Sequence, residues 1–138
     1  IWPTKERLLV CIDESGNAET LVRMAARMAE RAKAPWMALH VESHTDAHLT
    51  EKEKDIIAEA LSLTEKLGGE AVTIRGGTAI AADILAFAGT RNVTRILIGR
   101  HGKSWIANRL FPSVSTQLLA AARDFDITLL HATAGDTN

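Results

Sequence analysis

A doubly wound α/β fold follows from three features of the 138-residue sequence: short apolar runs of strand length, amphipathic segments at helical spacing between them, and turn residues at the junctions. Alternation of strand and helix implies a parallel sheet, because each parallel pair needs a crossover, and right-handed crossovers place helices on both faces. The expectation is a single domain, 1–138, with a five-stranded, doubly wound parallel sheet, a core over about 6–132 and a polar tail over 133–138.

The first strand is the continuous apolar run Leu8-Leu9-Val10-Cys11-Ile12, buried on both faces, and it stops at the loop Asp13-Glu14-Ser15-Gly16-Asn17. From Ala18 to Lys33, Leu21, Met24, Ala25, Met28 and Ala32 take one helical face while Glu19, Arg23, Arg27, Glu30 and Arg31 take the other, with Asn17 as N-cap. Ala34-Pro35 ends that helix, and Trp36 to Val41 is the second strand.

Thr50-Glu51-Lys52-Glu53 is a capping box that opens a helix whose inner face carries Ile56, Ile57, Ala60, Leu61, Leu63, Thr64 and Leu67. Gly68-Gly69 stops it. Ala71 to Ile74 is a third strand, and Gly76-Gly77-Thr78 begins a helix with Ile80, Ile84, Leu85, Phe87 and Ala88. Val93 to Ile98 is the fourth strand; a ten-residue irregular stretch, a helix over about 113–123 and a fifth strand, Ile127 to His131, follow.

Composition narrows the function classes. With 46% hydrophobic and 24% charged residues and a formal net charge of -1, nothing pulls the whole chain toward nucleic acid or a membrane surface. No apolar stretch reaches the ~18–20 residues that cross a bilayer, and there is no signal-peptide profile. The lone Cys11 sits in a strand and builds no disulfide, which fits a reducing, cytoplasmic setting. The missing initiator Met and the polar end Ala134 to Asn138 suggest a piece of a longer protein.

Doubly wound sheets bind ligands at the carboxyl ends of their strands, where the winding reverses, so the loops after strands one, two and four are the places to look. Gly99-Arg100-His101-Gly102 lets backbone approach a ligand, and Pro112-Ser113-Val114-Ser115-Thr116 then starts a helix whose free N–H groups suit phosphate. Arg91, Arg95, Arg100, Lys103, Arg109 and Arg123 bracket that loop without an acidic residue between Arg91 and Arg123, a pattern that also fits a solvated basic face. His101, between the two glycines, is placed to reach a phosphate; Trp105 and Phe111 read as pinning the loop to the body, with a docking surface as the alternative.

Other patterns lead elsewhere or nowhere. Gly102-Lys103-Ser104 is not a Walker loop, since Leu97 stands where its first glycine belongs. His44, Asp46 and His48 lack a further ligand and read as a solvated loop rather than a metal site. No set of nucleophile, base and orienting group can be read, so no catalytic residue is expected.

Gly99, two residues, Gly102, nine residues, Pro112 and Ser113 resemble the nucleotide loop of ATP-binding universal stress proteins, which is Gly-x2-Gly-x9-Gly followed by Ser or Thr. The resemblance implies the universal stress protein fold, of the adenine nucleotide alpha-hydrolase-like kind, with the five strands in the order 3-2-1-4-5 and ATP or another adenine nucleotide bound. By that comparison Asp13 lies near the adenosine, Val41 lines the base pocket, and Gly99, Arg100, His101, Gly102, Ser113, Val114 and Ser115 hold the phosphates. Pro112 is the departure: it supplies neither an N–H nor an unusual φ, which points to weak binding.

Three further segments, Glu6 to Ile12, Leu21 to Ala29 followed by Ala34-Pro35-Trp36, and Arg91 to Ile96 followed by Gly99-Arg100, are similar to the cytoplasmic domain of KdpD-type sensor histidine kinases. That implies a regulatory domain of a potassium-responsive, osmosensing two-component kinase, in the cytoplasmic part of a bacterial inner-membrane protein, with the ATP-dependent phosphotransfer carried elsewhere in the parent. Implied partners are the rest of the sensor kinase, a separate universal stress protein, and a second copy through the fifth strand; no nucleic acid and no direct membrane insertion are expected. Cyclic di-AMP is the lesser ligand expectation, because of the family's segments for it only Ser15, Ala38 and an aromatic, Trp36, are present. The alternatives are a pure docking module with a vestigial pocket and a free-standing ATP-binding universal stress protein.

Overall fold

Strands and helices alternate in the computed structural model, which describes residues 6–14, 16–43, 47–77, 79–99 and 126–130. In chain order they are β1 (Leu8–Cys11), α1 (Ala18–Ala32), β2 (Trp36–Glu42), α2 (Glu51–Lys66), β3 (Glu70–Arg75), α3 (Ile80–Thr90), β4 (Arg95–Gly99) and β5 (Asp126–Leu130). The five strands form one parallel sheet, as the alternation predicts, in the order β3-β2-β1-β4-β5 that the family resemblance implies. The predicted helix over 113–123 lies outside the described residues.

Period-two side-chain alternation splits the strands between two cores. Leu8, Val10, Trp36, Ala38 and Leu97 face α1 and α2, where they meet Leu21, Val22, Ala25, Ile57 and Ala60. Leu9, Cys11, Met37, Leu39, Ile96 and Ile98 face α3 and pack on Ile80, Ile84 and Ala88. Because β1 is apolar on both faces it can only be central, and its four residues are all buried.

The helices end alike. In each, the N–H of one residue reaches the carbonyl five residues back: Ala34 to Ala29 at 2.9 Å, Gly69 to Thr64 at 2.9 Å and Val93 to Ala88 at 3.0 Å. The preceding residue has positive φ: Lys33 at 52°, Gly68 at 94° and Asn92 at 58°. These are Schellman closures, and only the glycine one is announced by residue type.

That closure explains the differences from expectation. Val93 and Thr94 do not start the fourth strand; Val93 is the apolar residue of the α3 closure, buried against the same core as Ala88, and the ladder begins at Arg95. Ala32 and Leu67 immediately precede the left-handed residues and turn outward instead of joining the core. Asn17 holds the N-cap position of α1, but its side chain makes no capping hydrogen bond. Thr50 and Glu53 form the full capping box, with Glu53 N–H donating to Thr50 Oγ1 and Thr50 N–H to Glu53 Oε1.

Candidate functional site

The winding reverses between β1 and β4, where Cys11 pairs with Ile98 and the next residues in chain order are Ile12 and Gly99. Asp13 therefore follows the central strand at the same edge at which Gly99 ends its neighbour. Val41 stands near the end of β2, one strand over, in register with Ile74. Sheet topology thus brings Asp13, Val41 and Gly99 to a common carboxyl edge. Arg100, His101, Gly102, Ser113, Val114 and Ser115 lie outside the described residues, as do Ser15, His44 and Asp46.

Asp13 is 3% exposed although it follows a strand end. Its carboxylate, secondary to burial itself, helps push the Cys11 thiol up to about 12. Cys11 is therefore a protonated, inert core residue.

Gly99 is buried, and a Cβ on it would stand 2.5 Å from Leu21 Cδ1, so this glycine is required for α1 to lie close on β4. Val41 is 3% exposed beneath Gly76, where a Cβ would stand 2.5 Å from Val41 Cγ1 and 2.8 Å from Asp83 Oδ2. Gly76 N–H donates to the Glu42 carbonyl at 2.7 Å and Gly77 N–H to Asp83 Oδ2 at 2.8 Å. The β3–α3 connection is thereby folded over the end of β2. In sequence the Gly76-Gly77 pair signals only a helix start; the close approach depends on β2 and β3 being neighbours.

Two cavities flank the α1–α2 side. One of about 670 Å³ lies at the amino edge of the sheet, beside Arg23, Arg27, Lys33 and Trp36, away from the strand ends that bind ligands in such folds. The other, about 660 Å³, opens at the carboxyl ends of β2 and β3. Among the described residues there is no group of three metal-ligating side chains.

Against known protein families, residues 5–130 match the Universal stress protein family. The chain belongs to that family. Curated relatives narrow the likeness: the sensor protein KdpD of Escherichia coli (strain K12) is 32% identical over 131 residues, covering 94% of this chain and 14% of the relative. The sensor protein KdpD of Clostridium acetobutylicum is 37% identical over 103 residues, 75% of this chain and 11% of the relative. The chain thus spans a small fraction of the length of these sensor proteins.

Among solved structures, a universal stress protein from Archaeoglobus fulgidus superposes with a TM-score of 0.63 at 22% identity, covering 90% of this chain and 92% of that one. A universal stress protein in complex with cAMP gives 0.63 at 20% identity, covering 95% and 100%. At such identity the likeness is one of fold, and it is the universal stress protein fold with its 3-2-1-4-5 sheet. No helix among the described residues is long and apolar enough to cross a membrane.

Proposed function

We propose that this universal stress protein domain is the regulatory domain of a KdpD-type potassium-responsive histidine kinase, and that it binds an adenine nucleotide at the β1–β4 edge to modulate kinase signalling. The observation that carries the reading is the convergence of Asp13 and Gly99 at the point where the winding reverses, in a chain similar to KdpD sensor proteins over nearly its whole length. Solved relatives carry cAMP and dAMP. The phosphates would lie along Gly99, Arg100, His101 and Gly102 and at the helix start of Ser113, Val114 and Ser115, with the base toward Val41.

In this reading the domain does no chemistry. It sits on the cytoplasmic side of a membrane-bound kinase, and the nucleotide acts by favouring one kinase state over another. Pro112, in place of the family's glycine, favours a second reading in which the pocket is vestigial and the domain docks a protein partner, such as a separate universal stress protein.

Calorimetric titration with ATP, ADP and cyclic di-AMP separates the two. Saturable heat with an adenine nucleotide, lost in both Ser113→Ala and Gly102→Val, is the expected result. Absence of heat at millimolar ligand would sink the nucleotide reading and leave docking.

A further inference from the structure

The cavity at the carboxyl ends of β2 and β3 has the size of a small-molecule site, at about 660 Å³. Leu49, with Ile57 and Leu61 of α2, gives it an apolar wall. Lys54, one helical turn before Ala58, and Arg75, the last residue of β3, bring two cations to it. His40, 5% exposed, lies beneath them on β2.

Neither the Lys54 nor the Arg75 side chain makes a hydrogen bond or ion pair with a described residue. Arg91 and Arg95, which flank the start of β4, contrast with them: Arg91 holds Glu70 at 2.7 Å and Arg95 holds Glu6 at 3.1 Å. Glu42 is the one carboxylate among the described lining residues, so that described lining carries a net positive charge beside an apolar wall. An anion there would gain charge-assisted hydrogen bonds in a setting less polar than water, while an attached apolar body would cover Leu49, Ile57 and Leu61.

We propose that this cavity is a binding site for a small amphipathic monoanion, a carboxylate or sulfonate carried on an apolar ring or chain, separate from the nucleotide position. It shares none of Asp13, Val41 and Gly99. Its place at strand carboxyl ends, one strand beyond the point of reversal, puts it on the edge that doubly wound sheets use for ligands.

The test is titration of the isotope-labelled 138-residue chain with naphthoate, followed by amide chemical shifts. Saturable shifts centred on His40, Thr73 and Gly76 are expected, together with affinity weakened about tenfold in Arg75→Gln and in Lys54→Gln, and about tenfold for neutral naphthalenemethanol. Both cations are exposed, so these variants retain the dispersed spectrum of the folded chain. The proposal is overturned by shifts centred elsewhere, by no saturation at about 10 mM, by equal binding of the neutral compound, or by competition between naphthoate and ATP.

Discussion

Leu21 of α1 occupies the space that a side chain on Gly99 would need: a Cβ there would stand 2.5 Å from Leu21 Cδ1 and 3.2 Å from Cδ2. Because Leu21 is 5% exposed, it has little room to swing away. Gly99→Ala should therefore destabilise the chain by about 1–3 kcal/mol through overpacking. Denaturant unfolding checks this, and a Leu21→Ala background should remove most of the increment; an additive double variant would show that the helix contact is not the cause.

Gly69 makes a harder test of the same physics. A Cβ on Gly69 would stand 2.6 to 2.8 Å from three atoms of the Trp36 indole, a flat ring that cannot yield as a leucine methyl can. Gly69→Ala is expected to cost more than Gly99→Ala, at the upper end of about 1–3 kcal/mol or beyond. The comparison is of unfolding midpoints at equal slope, and the reverse ranking would contradict it.

Lys33 and Asn92 sit in left-handed backbone at φ 52° and 58°. A lysine pays a Cβ clash there that glycine does not, while glycine costs unfolded-chain entropy. Lys33→Gly should stabilise by about 0.5–1 kcal/mol, and Gly68→Ala, at φ 94°, should destabilise by about 1 kcal/mol. Asn92→Gly should gain less than Lys33→Gly, because asparagine tolerates the left-handed region. Thermal melts of the three variants decide it.

Cys11 gives the fold a pH dependence in the alkaline range. Its thiol pKa is raised from 9.0 to about 12, chiefly by burial and then by the charge of Asp13. The unfolded chain releases this proton above about 9 while the folded chain holds it, so the contribution is fully present below about 9 and is lost as pH rises toward about 12. The slope approaches about 1.4 kcal/mol per pH unit in that window. Cys11→Ala should flatten it, and the native thiol should react with a disulfide reagent at pH 8 only as fast as the chain unfolds.

Thr50 closes the amino end of α2 by accepting the Glu53 N–H at 3.1 Å. Thr50→Ala should cost about 1 kcal/mol, and Thr50→Asp little, since both threonine and aspartate cap. Equal losses in the two variants would mean that packing near Leu49, rather than the cap, is what matters.

Much of this architecture is legible in the order of residues because it rests on local chemistry. The apolar run from Leu8 to Ile12 specifies a central strand, the Thr50 to Glu53 box specifies a helix start, and strand–helix alternation implies a parallel sheet with Asp13 and Gly99 at one edge. What local reading assigned differently are features whose cause is distant in the chain or hidden in backbone conformation. Val93 looks like a strand residue until α3 closes on Ala88, and Lys33 carries no sign of its left-handed turn.

Apolar periodicity and turn chemistry determined most of the described elements, their succession along the chain and the edge that carries the candidate site. Only the tertiary structure decided that Gly76 lies over Val41, that Gly99 makes room for Leu21, and that Lys54 and Arg75 share a cavity with His40. Those relations join residues 14 to 78 positions apart, and close approach between such distant segments is set by how helices seat on the sheet, which no window of sequence encodes.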